Sequence, residues 1–308
     1  MLVSLINYQS NMEKFVEAIA RSCQSGEDAL THYRETGNIG PFLRYLKQEH
    51  HESPTEFGTY VTFSIDGVSR ACTHQLVRHR IASHMERSFR HVGPPKFNPT
   101  SPESYQIPLS LIKIGDPRLI VEYLQGQINS GTLYQKLYDA GVRKEDARLV
   151  EPEGLLTHIN TQQNARALIT TFFLQRTCDQ AQWELGKAAQ AMLFSMKMVT
   201  DYLFQSVGPP CIGDDCYTLK QKGDKTKRRK RIECKSKKRE LIRKLDRKVS
   251  ILKPNFNKDV DVDEDVTYDL TDLLGFSANP QLERIVSEMM EQEISLSIPV
   301  YVRILKCS

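Results

Sequence analysis

Apolar residues recur along this chain mostly at helical spacing, and only two short segments have the composition of strands. These segments are Leu2–Tyr8 and Thr59–Ile65, the second of which is rich in β-branched and aromatic residues. Strands that are so few and so far apart predict a mixed α/β or α+β domain with many helices. No glycine-rich dinucleotide or P-loop pattern and no internal repeat accompanies them.

The helical spacing predicts one long helical region and several shorter helices. The predicted segments are Asn11–Cys23, Ile39–Glu49, Ser69–Ala82, Pro117–Leu137, Lys144–Leu149, Gln162–Gln205 and the amphipathic Pro280–Ile298. In the first of them, Phe15, Ala18, Ile19 and Ser22 share one face. The region from Gln162 is long enough for two helices joined near Gln175–Asp179.

Charge is segregated along the chain. Between Lys220 and Lys248 there are 16 Lys or Arg and 4 Asp or Glu, whereas the whole chain has a net charge of only +4. We place a domain boundary near Cys216–Lys222, which predicts a catalytic domain at residues 1–217 and a charged extension at residues 218–308. The basic run has the composition of a nucleic-acid-binding or nuclear-targeting segment. A solvated arm, which could pair with the acidic Asp259–Asp272 stretch of the same or of another subunit, is the interpretation that we favour.

Composition narrows the class of protein. The 308 residues are 40% hydrophobic and 26% charged, which is typical of a globular protein, and no run approaches the roughly 18–20 apolar residues of a membrane span. The N-terminus does not have the pattern of a signal peptide. Seven scattered cysteines disfavour a disulfide scaffold and indicate the reducing cytoplasm. The irregular spacing of Cys211, Cys216, Cys234 and Cys307 disfavours zinc, so we predict no metal site.

The chemistry concentrates between Arg78 and Arg90. This stretch contains four arginines, two histidines, two serines and Glu86, and it follows an apolar predicted helix. If that helix continued, Arg78 and Arg80 would project about 200° apart and could serve two anionic ligands. Arginine suits phosphate because its planar fork donates paired, charge-assisted hydrogen bonds. Composition alone favours an exposed basic helix end or a nucleic-acid patch, whereas the interleaved serines and Glu86 favour a pocket.

This stretch resembles the signature of the flavin-dependent thymidylate synthases, Arg-His-Arg-x-x-Ser-x-x-x-x-Ser-x-Arg. Every fixed position matches, at Arg78, His79, Arg80, Ser83, Ser88 and Arg90. The chain departs from the fuller family pattern at Met85, where the family has asparagine, and at His91, where it has tyrosine.

Further segments support the resemblance, which covers roughly Met1 to Cys216. His51–Phe57 is similar to the His-Glu-Ser/Thr-Pro segment of the family, and Asn164–Arg166 and Gln175–Glu184 are similar to its C-terminal motifs. An asparagine of the family is replaced here in the region of Thr170 and Thr171. The resemblance implies the family fold, with a largely antiparallel sheet flanked by helices.

The resemblance also implies which residues would contact FAD and which would contact dUMP. FAD would be contacted by Ser53, Glu56, Arg78, His79, Arg80, Glu86, Asn164 and Arg166. The substrate dUMP would be contacted by Gln75, Arg78, Glu86, Arg87, Ser88, Phe89, Arg90, Arg148 and Arg176. Arg87 and Phe89 would contribute backbone groups, and His51 and His79 are expected to position other groups. Arg176 is the expected catalytic residue, since a guanidinium can stabilise negative charge on the uracil ring.

The activity that the resemblance implies is a methyl transfer. dUMP would become dTMP, with 5,10-methylenetetrahydrofolate as the carbon donor and NADPH as the reductant through FAD. The active site of this family lies between subunits, so the resemblance also implies a homotetramer. Beyond these small molecules and the other subunits, nucleic acid is a candidate partner only through residues 220–248.

Overall fold

The structure is a computed structural model. It describes residues 1–35, 37, 39–49, 51, 53–57, 60–93, 98–212, 225–256 and 265–306, with the backbone alone at residues 47–48 and 225–238.

One mixed sheet organises the described chain. Its strands are β1 (Leu2–Asn7), β2 (Tyr60–Ser69), β3 (Ser83–Glu86), β4 (Leu156–Asn164), β5 (Asp265–Asp269) and β6 (Tyr301–Leu305). Their order across the sheet is β3-β4-β2-β1-β6-β5. Neighbouring strands run antiparallel, except that β1 and β6 are parallel. The sheet therefore has the largely antiparallel character that was expected.

Helices account for most of the remaining described residues. They are α1 (Met12–Ser22), α2 (Ala29–Glu35), α3 (Pro41–Gln48), α4 (Arg70–Leu76), α5 (Leu109–Ile114), α6 (Pro117–Asp139), α7 (Lys144–Ala147), α8 (Ala165–Ala167), α9 (Phe173–Arg176), α10 (Trp183–Val199), α11 (Lys225–Phe256), α12 (Thr271–Leu274) and α13 (Pro280–Met290). Single 3₁₀ turns cover Ser53–Glu56, Pro102–Ser104, Arg148–Val150 and Pro210–Ile212, and a π-helical turn covers Leu168–Phe172.

Helix α10 is the centre of the hydrophobic core. Leu185, Met192 and Met196 on this helix have no exposed surface, and they belong to the same cluster as Phe63 and Ile65 of β2. Because α10 is buried on most sides, its sequence is apolar almost all round, as expected of a central helix. Its ends therefore hold fixed positions relative to the sheet.

The predicted helix Ser69–Ala82 is wrong beyond Leu76. Ser69 caps α4, since its Oγ accepts a hydrogen bond from the backbone N–H of Cys72 at 3.2 Å. The chain then turns, and Ser83–Glu86 forms the edge strand β3, paired from Ser83–Gln162 to Glu86–Ile159. Helical projection therefore does not describe Arg78 and Arg80. Pairing with β4 overrides the local helical pattern.

Strand β4 was also missed, because it was assigned in part to a helix that starts at Gln162. Residues 156–164 pair with β2 on one side and β3 on the other. The helical part begins only after Asn164, whose side chain caps α8. The expected break near Gln175–Asp179 is confirmed, since α9 ends at Arg176 and α10 begins at Trp183.

Two further helix predictions need correction. In α1 the buried apolar residues are Met12, Val16, Ala18 and Ala20. Of the residues predicted to share one face, only Ala18 is buried, and the others are partly buried. The terminal helix α13 ends at Met290, followed by Glu291 in the left-handed region at φ 54°. The remaining residues return to the sheet as β6.

The chain after the proposed boundary packs on the same core. The boundary itself lies outside the described residues, so the division at residue 217 remains a prediction. Val302 of β6 is fully buried, and α11 contributes Leu245 to the core, so the described part of the basic run is not wholly solvated. The expected contact with the acidic stretch is found at one point, where Lys248 Nζ lies 2.8 Å from Asp272 Oδ1.

Candidate active site

The start of α4 is fixed from inside the protein. Glu184 is 2% exposed and accepts hydrogen bonds from the backbone N–H of Ser69 at 2.9 Å and from its hydroxyl at 2.5 Å. The backbone N–H of Arg70 donates to Leu155 O at 3.0 Å. These contacts tie α4 to α10 and to the start of β4. The chain that follows α4 thus leaves from a defined point.

Arg176 and His79 join the two segments that carry the predicted site. Arg176 Nε donates to His79 Nε2 at 2.8 Å, and a terminal guanidinium nitrogen lies 3.4 Å from Gln75 O. Burial, followed by the charges of Arg176 and His84, lowers the pKa of His79 to about 4. His79 is therefore neutral at pH 7, with Nε2 as the acceptor. This geometry supports the positioning role expected of His79.

Phe172 packs against the ring of His79. The two rings meet edge to face with centroids 5.0 Å apart, and Phe172 has no exposed surface. A packed ring and a hydrogen bond leave His79 little freedom. The side chain that orients the predicted catalytic arginine is thus itself held in place.

Glu86 faces α4 from the end of β3. Thr73 Oγ1 donates to Glu86 Oε1 at 2.8 Å, and Arg70 lies 3.4 Å from the same oxygen. Arg70 also lies over the ring of Phe89, 5.7 Å from its centroid. The carboxylate therefore keeps one oxygen in this network, and the other is the more available to a ligand. Thr73 and Arg70 were not predicted from sequence.

Ser88 begins a turn that exposes Arg90. The backbone N–H groups of His91 and Val92 both donate to Ser88 O, and Phe89 is buried in a small cluster with Tyr105 and Leu155. Burial of the Phe89 side chain holds the turn against the body. Arg90 then extends outwards to Glu145.

Arg90 and Arg148 come to the same region through Glu145. Arg90 lies 2.7 Å from Glu145 Oε2, while Arg143 lies 2.8 Å from Glu145 Oε1. Glu145 is three residues before Arg148, where α7 passes into a 3₁₀ turn. Glu145 was not predicted, although its helical spacing from Arg148 was a usable signal.

Arg87 is engaged within the chain. Its backbone N–H donates to His158 O at 3.0 Å, and its side chain contacts His158 Nδ1 at 2.8 Å. Asp66 lies 3.8 Å from the same guanidinium. Of the backbone groups of Arg87 that were expected to contact dUMP, the N–H therefore already has a hydrogen-bond partner.

The segment after β4 carries the remaining predicted cofactor residues. Asn164 Oδ1 accepts from the N–H of Ala167 at 2.8 Å, and Arg166 forms an ion pair of 2.6 Å with Glu56. Glu56 ends the 3₁₀ turn that begins at Ser53. The predicted position of Asn164 and Arg166 at a helix start is confirmed.

A π-helical turn follows directly at Leu168–Phe172. Thr170, in the region where the family has an asparagine, donates its hydroxyl to Arg166 O at 2.8 Å. Thr170 is therefore occupied by its own helix. Such turns are frequent at functional sites.

A cavity of about 460 Å³ opens beside this segment. Its lining includes His51 and Thr55 from the chain before β2, Ile169 from the π-helical turn, and Arg44 and Tyr202. Most of the other lining residues are apolar. This size is in the usual range for small-molecule sites. Glu52, from the same motif as His51, lies outside the described residues.

Three groups at or beside His79 in the described chain remain available for a ligand. Arg78 and Arg80 are exposed, and neither has an ion-pair partner among the residues that the structure describes. His84 Nδ1 is buried with no hydrogen-bond partner. Unpaired guanidinium groups and an unsatisfied buried nitrogen next to His79 suit a polar, anionic ligand.

Comparison with known proteins defines the class. The family described as "Thymidylate synthase complementing protein" matches residues 4–200. The "Flavin-dependent thymidylate synthase" of Clostridium tetani is 36% identical over 232 residues, covering 70% of this chain and 89% of that protein. The protein of the same name from Pyrococcus furiosus is 39% identical over 216 residues, covering 68% and 86% respectively. The chain belongs to the flavin-dependent thymidylate synthase family.

A solved structure supports the fold. The UMP/dUMP methylase PolB from Streptomyces cacaoi, bound with 5-Br dUMP, aligns with a TM-score of 0.53 at 23% identity. The alignment covers 66% of this chain and 92% of that one. The family match ends at residue 200, so it does not extend to α11, β5 and β6.

The described part of the chain was not expected to hold a metal ion or to cross a membrane. No group of three or more His, Cys, Asp or Glu side chains there is arranged to hold a metal ion. No helix among those residues is both long and apolar enough to span a membrane.

Proposed function

We propose that the chain catalyses the reductive methylation of dUMP to dTMP, with FAD, 5,10-methylenetetrahydrofolate as the carbon donor and NADPH as the reductant. The observation that carries this proposal is the contact between Arg176 and His79. It joins the family signature to the end of α9, and it presents a fixed guanidinium beside the exposed Arg78 and Arg80.

The residues present fit a flavin dinucleotide. Its pyrophosphate needs cations, which Arg78, Arg80 and Arg166 would supply, and the buried Nδ1 of His84 has no hydrogen-bond partner. Ser53, Glu56, His79, Glu86 and Asn164 complete the proposed set. Bound FAD would supply the hydride that completes the methyl group.

The protein's own residues would bind and polarise the substrate. Ser88, Arg90 and Arg148 would hold the phosphate, because the turn at Ser88 and the link through Glu145 bring them to one region. Arg176 would face the uracil and stabilise negative charge on the ring when N3 ionises. His79 would keep Arg176 oriented, since its unprotonated Nε2 accepts the Nε–H of the arginine.

The active form would be a homotetramer with a site shared between subunits. Ile81 and Met85 are 68% and 73% exposed, although both are large apolar side chains in the signature segment. Met85 lies on β3, which is an edge strand. An adjacent subunit would cover these residues and close a site that is open in the single chain.

The four described cysteines are free thiols, which fits a reducing compartment, and we place the protein in the cytoplasm.

Measurement of the absorbance spectrum and of dUMP-dependent NADPH oxidation in the purified protein tests the proposed activity. We expect a yellow protein that forms dTMP only when dUMP, methylenetetrahydrofolate and NADPH are all present. A colourless protein that binds no added FAD would contradict the proposal, and so would a flavoprotein whose NADPH oxidation ignores dUMP.

A further inference from the structure

Helix α11 has two halves of different character. From Arg239 onwards it packs on the body through Ile242, Leu245, Val249 and Phe256, each at most 6% exposed. These residues recur at intervals of three, four and seven, which places them on one face of a helix. This half, residues 239–256, is the anchored half.

The preceding residues, 225–238, form the basic half. This half contains nine Lys or Arg, one Glu, and only Ile232 and Cys234 as apolar residues, which gives a formal charge of +8. Continuing the apolar face of the anchored half towards the N-terminus leads to Lys238, Lys235 and Arg231. The basic half therefore lacks the stripe that would dock it on an apolar surface.

Acidic groups of the same chain are engaged by the anchored half and by α10. Lys253 pairs with Asp201 at 2.7 Å, and Lys248 with Asp272 at 2.8 Å. Asp246 of the anchored half pairs with the fully buried Lys197. These contacts fix the helix to the body at its C-terminal side.

The junction between the halves is also tied to the body. Arg239 Nε donates to Cys211 O at 3.1 Å, and a second guanidinium nitrogen lies 3.4 Å from Ile212 O. Arg239 lies immediately after the basic half. The anchor therefore begins where the charge run ends.

The composition of the basic half indicates which kind of polyanion it would bind. It contains no Trp, Phe or Tyr, so it offers no stacking platform for the bases of a single strand. It has no broad apolar face, which a helix lying in a membrane surface requires. A cationic helix without either feature fits the phosphates that border a duplex groove.

The dimensions of an α-helix agree with binding to a duplex groove. Fourteen helical residues extend about 21 Å, and a helix about 10–12 Å across enters the major groove of B-DNA, which is about 12 Å wide. The deep, narrow major groove of duplex RNA does not admit side chains in this way. We propose that residues 225–238 bind the phosphate backbone of duplex DNA without sequence preference, while the anchored half holds this helix on the enzyme.

The test uses the full chain and a labelled mixed-sequence DNA duplex of about 20 base pairs, titrated by fluorescence anisotropy across a salt series. The cluster variant is R228Q/R229Q/K230Q/R231Q. The matched control is R34Q/K113Q/R118Q/K136Q, which removes four exposed positive charges outside α11. At about 0.1 M salt we expect the cluster variant to bind at least about tenfold more weakly, with a shallower dependence of log affinity on log salt. We expect the control to match the wild type.

Three results would overturn the proposal. They are no binding of duplex by the wild type, equal loss in the control and cluster variants, and tighter binding of a single strand or of phosphatidylserine vesicles than of duplex. A third variant, R228K/R229K/R231K, keeps the charge and must retain binding. The thermal midpoint and dTMP formation of all variants are measured in parallel. Loss of DNA binding with activity intact separates this proposal from the enzymatic one.

Discussion

Arg176 and His79 are 97 residues apart in sequence, yet Nε of the arginine donates to Nε2 of the histidine at 2.8 Å. The contact connects the turn after α4 with the last residue of α9. It also explains why a neutral histidine is useful here. A protonated ring would repel the guanidinium and would have no lone pair to accept its hydrogen.

Replacing Arg176 tests the catalytic assignment. Arg176→Ala should lower kcat for dTMP formation by about 100-fold or more, because a preorganised donor to the developing negative charge is lost. Flavin content should remain, since Arg176 is not in the proposed FAD set. The control is Arg118→Ala, which removes an exposed arginine at the start of α6. Turnover that is equal in the two variants would remove Arg176 from the mechanism.

Arg90 and Arg143 both form ion pairs with Glu145, so variants of these two arginines provide a matched comparison. Arg90→Gln should raise the KM for dUMP by roughly 10- to 100-fold, because a charge-assisted hydrogen bond contributes about 1.5–3 kcal/mol. Arg143→Gln should change KM little, although it removes the other partner of Glu145. Steady-state kinetics with varied dUMP make the comparison. If Arg143→Gln had the larger effect, the phosphate would have been assigned to the wrong arginine.

His79 should make the fold sensitive to acid. Its pKa is lowered to about 4 in the folded protein, from an unfolded value near 6.5. The unfolded chain therefore binds more protons between these values, so stability should fall as pH decreases from about 6.5 to 4. His79→Gln should flatten this loss in thermal melts across that range. His91→Gln, at an exposed position in the turn after Ser88, should melt with the slope of the wild type.

Glu151 should act in the opposite direction. Both of its carboxylate oxygens are buried without a hydrogen-bond partner, and burial raises its pKa to about 7. The folded state therefore favours the protonated acid of Glu151. The contribution of this group to the free energy of unfolding decreases as pH rises from about 4.5 to 7. Glu151→Gln should raise the thermal midpoint at pH 8 more than at pH 5. Glu293→Gln, at an exposed side chain between α13 and β6, should show no such difference.

Strand β6 should be required for stability. Val302 has no exposed surface and pairs with Val3 of β1. Val302→Ala should lower the free energy of unfolding by about 1–3 kcal/mol, the usual range for a truncated core side chain. Arg303→Ala, on the exposed side of the same strand, should cost less than about 1 kcal/mol, since it removes a surface ion pair with Asp265. Equal effects in chemical denaturation would show that β6 is not part of the cooperative core.

The sequence by itself determined the family and most of the helices. The spacing from Arg78 to Arg90 fixed the family signature, because ligand chemistry demands particular residues at particular positions. The helix of Pro117–Asp139 and the break after Arg176 followed from local periodicity and capping, which are short-range properties.

Only the tertiary structure decided the conformation of the family signature, residues 78–90, and its position on the sheet. Ser83–Glu86 forms a strand because β4 offers it an edge, and β4 lies more than 70 residues later in the chain. The parallel pairing of β1 with β6 joins the two ends of the chain in the same way. Strand pairing depends on partners distant in sequence, and no local pattern contains that information. For the same reason Thr73 and Glu184 became visible as site partners only in the folded chain.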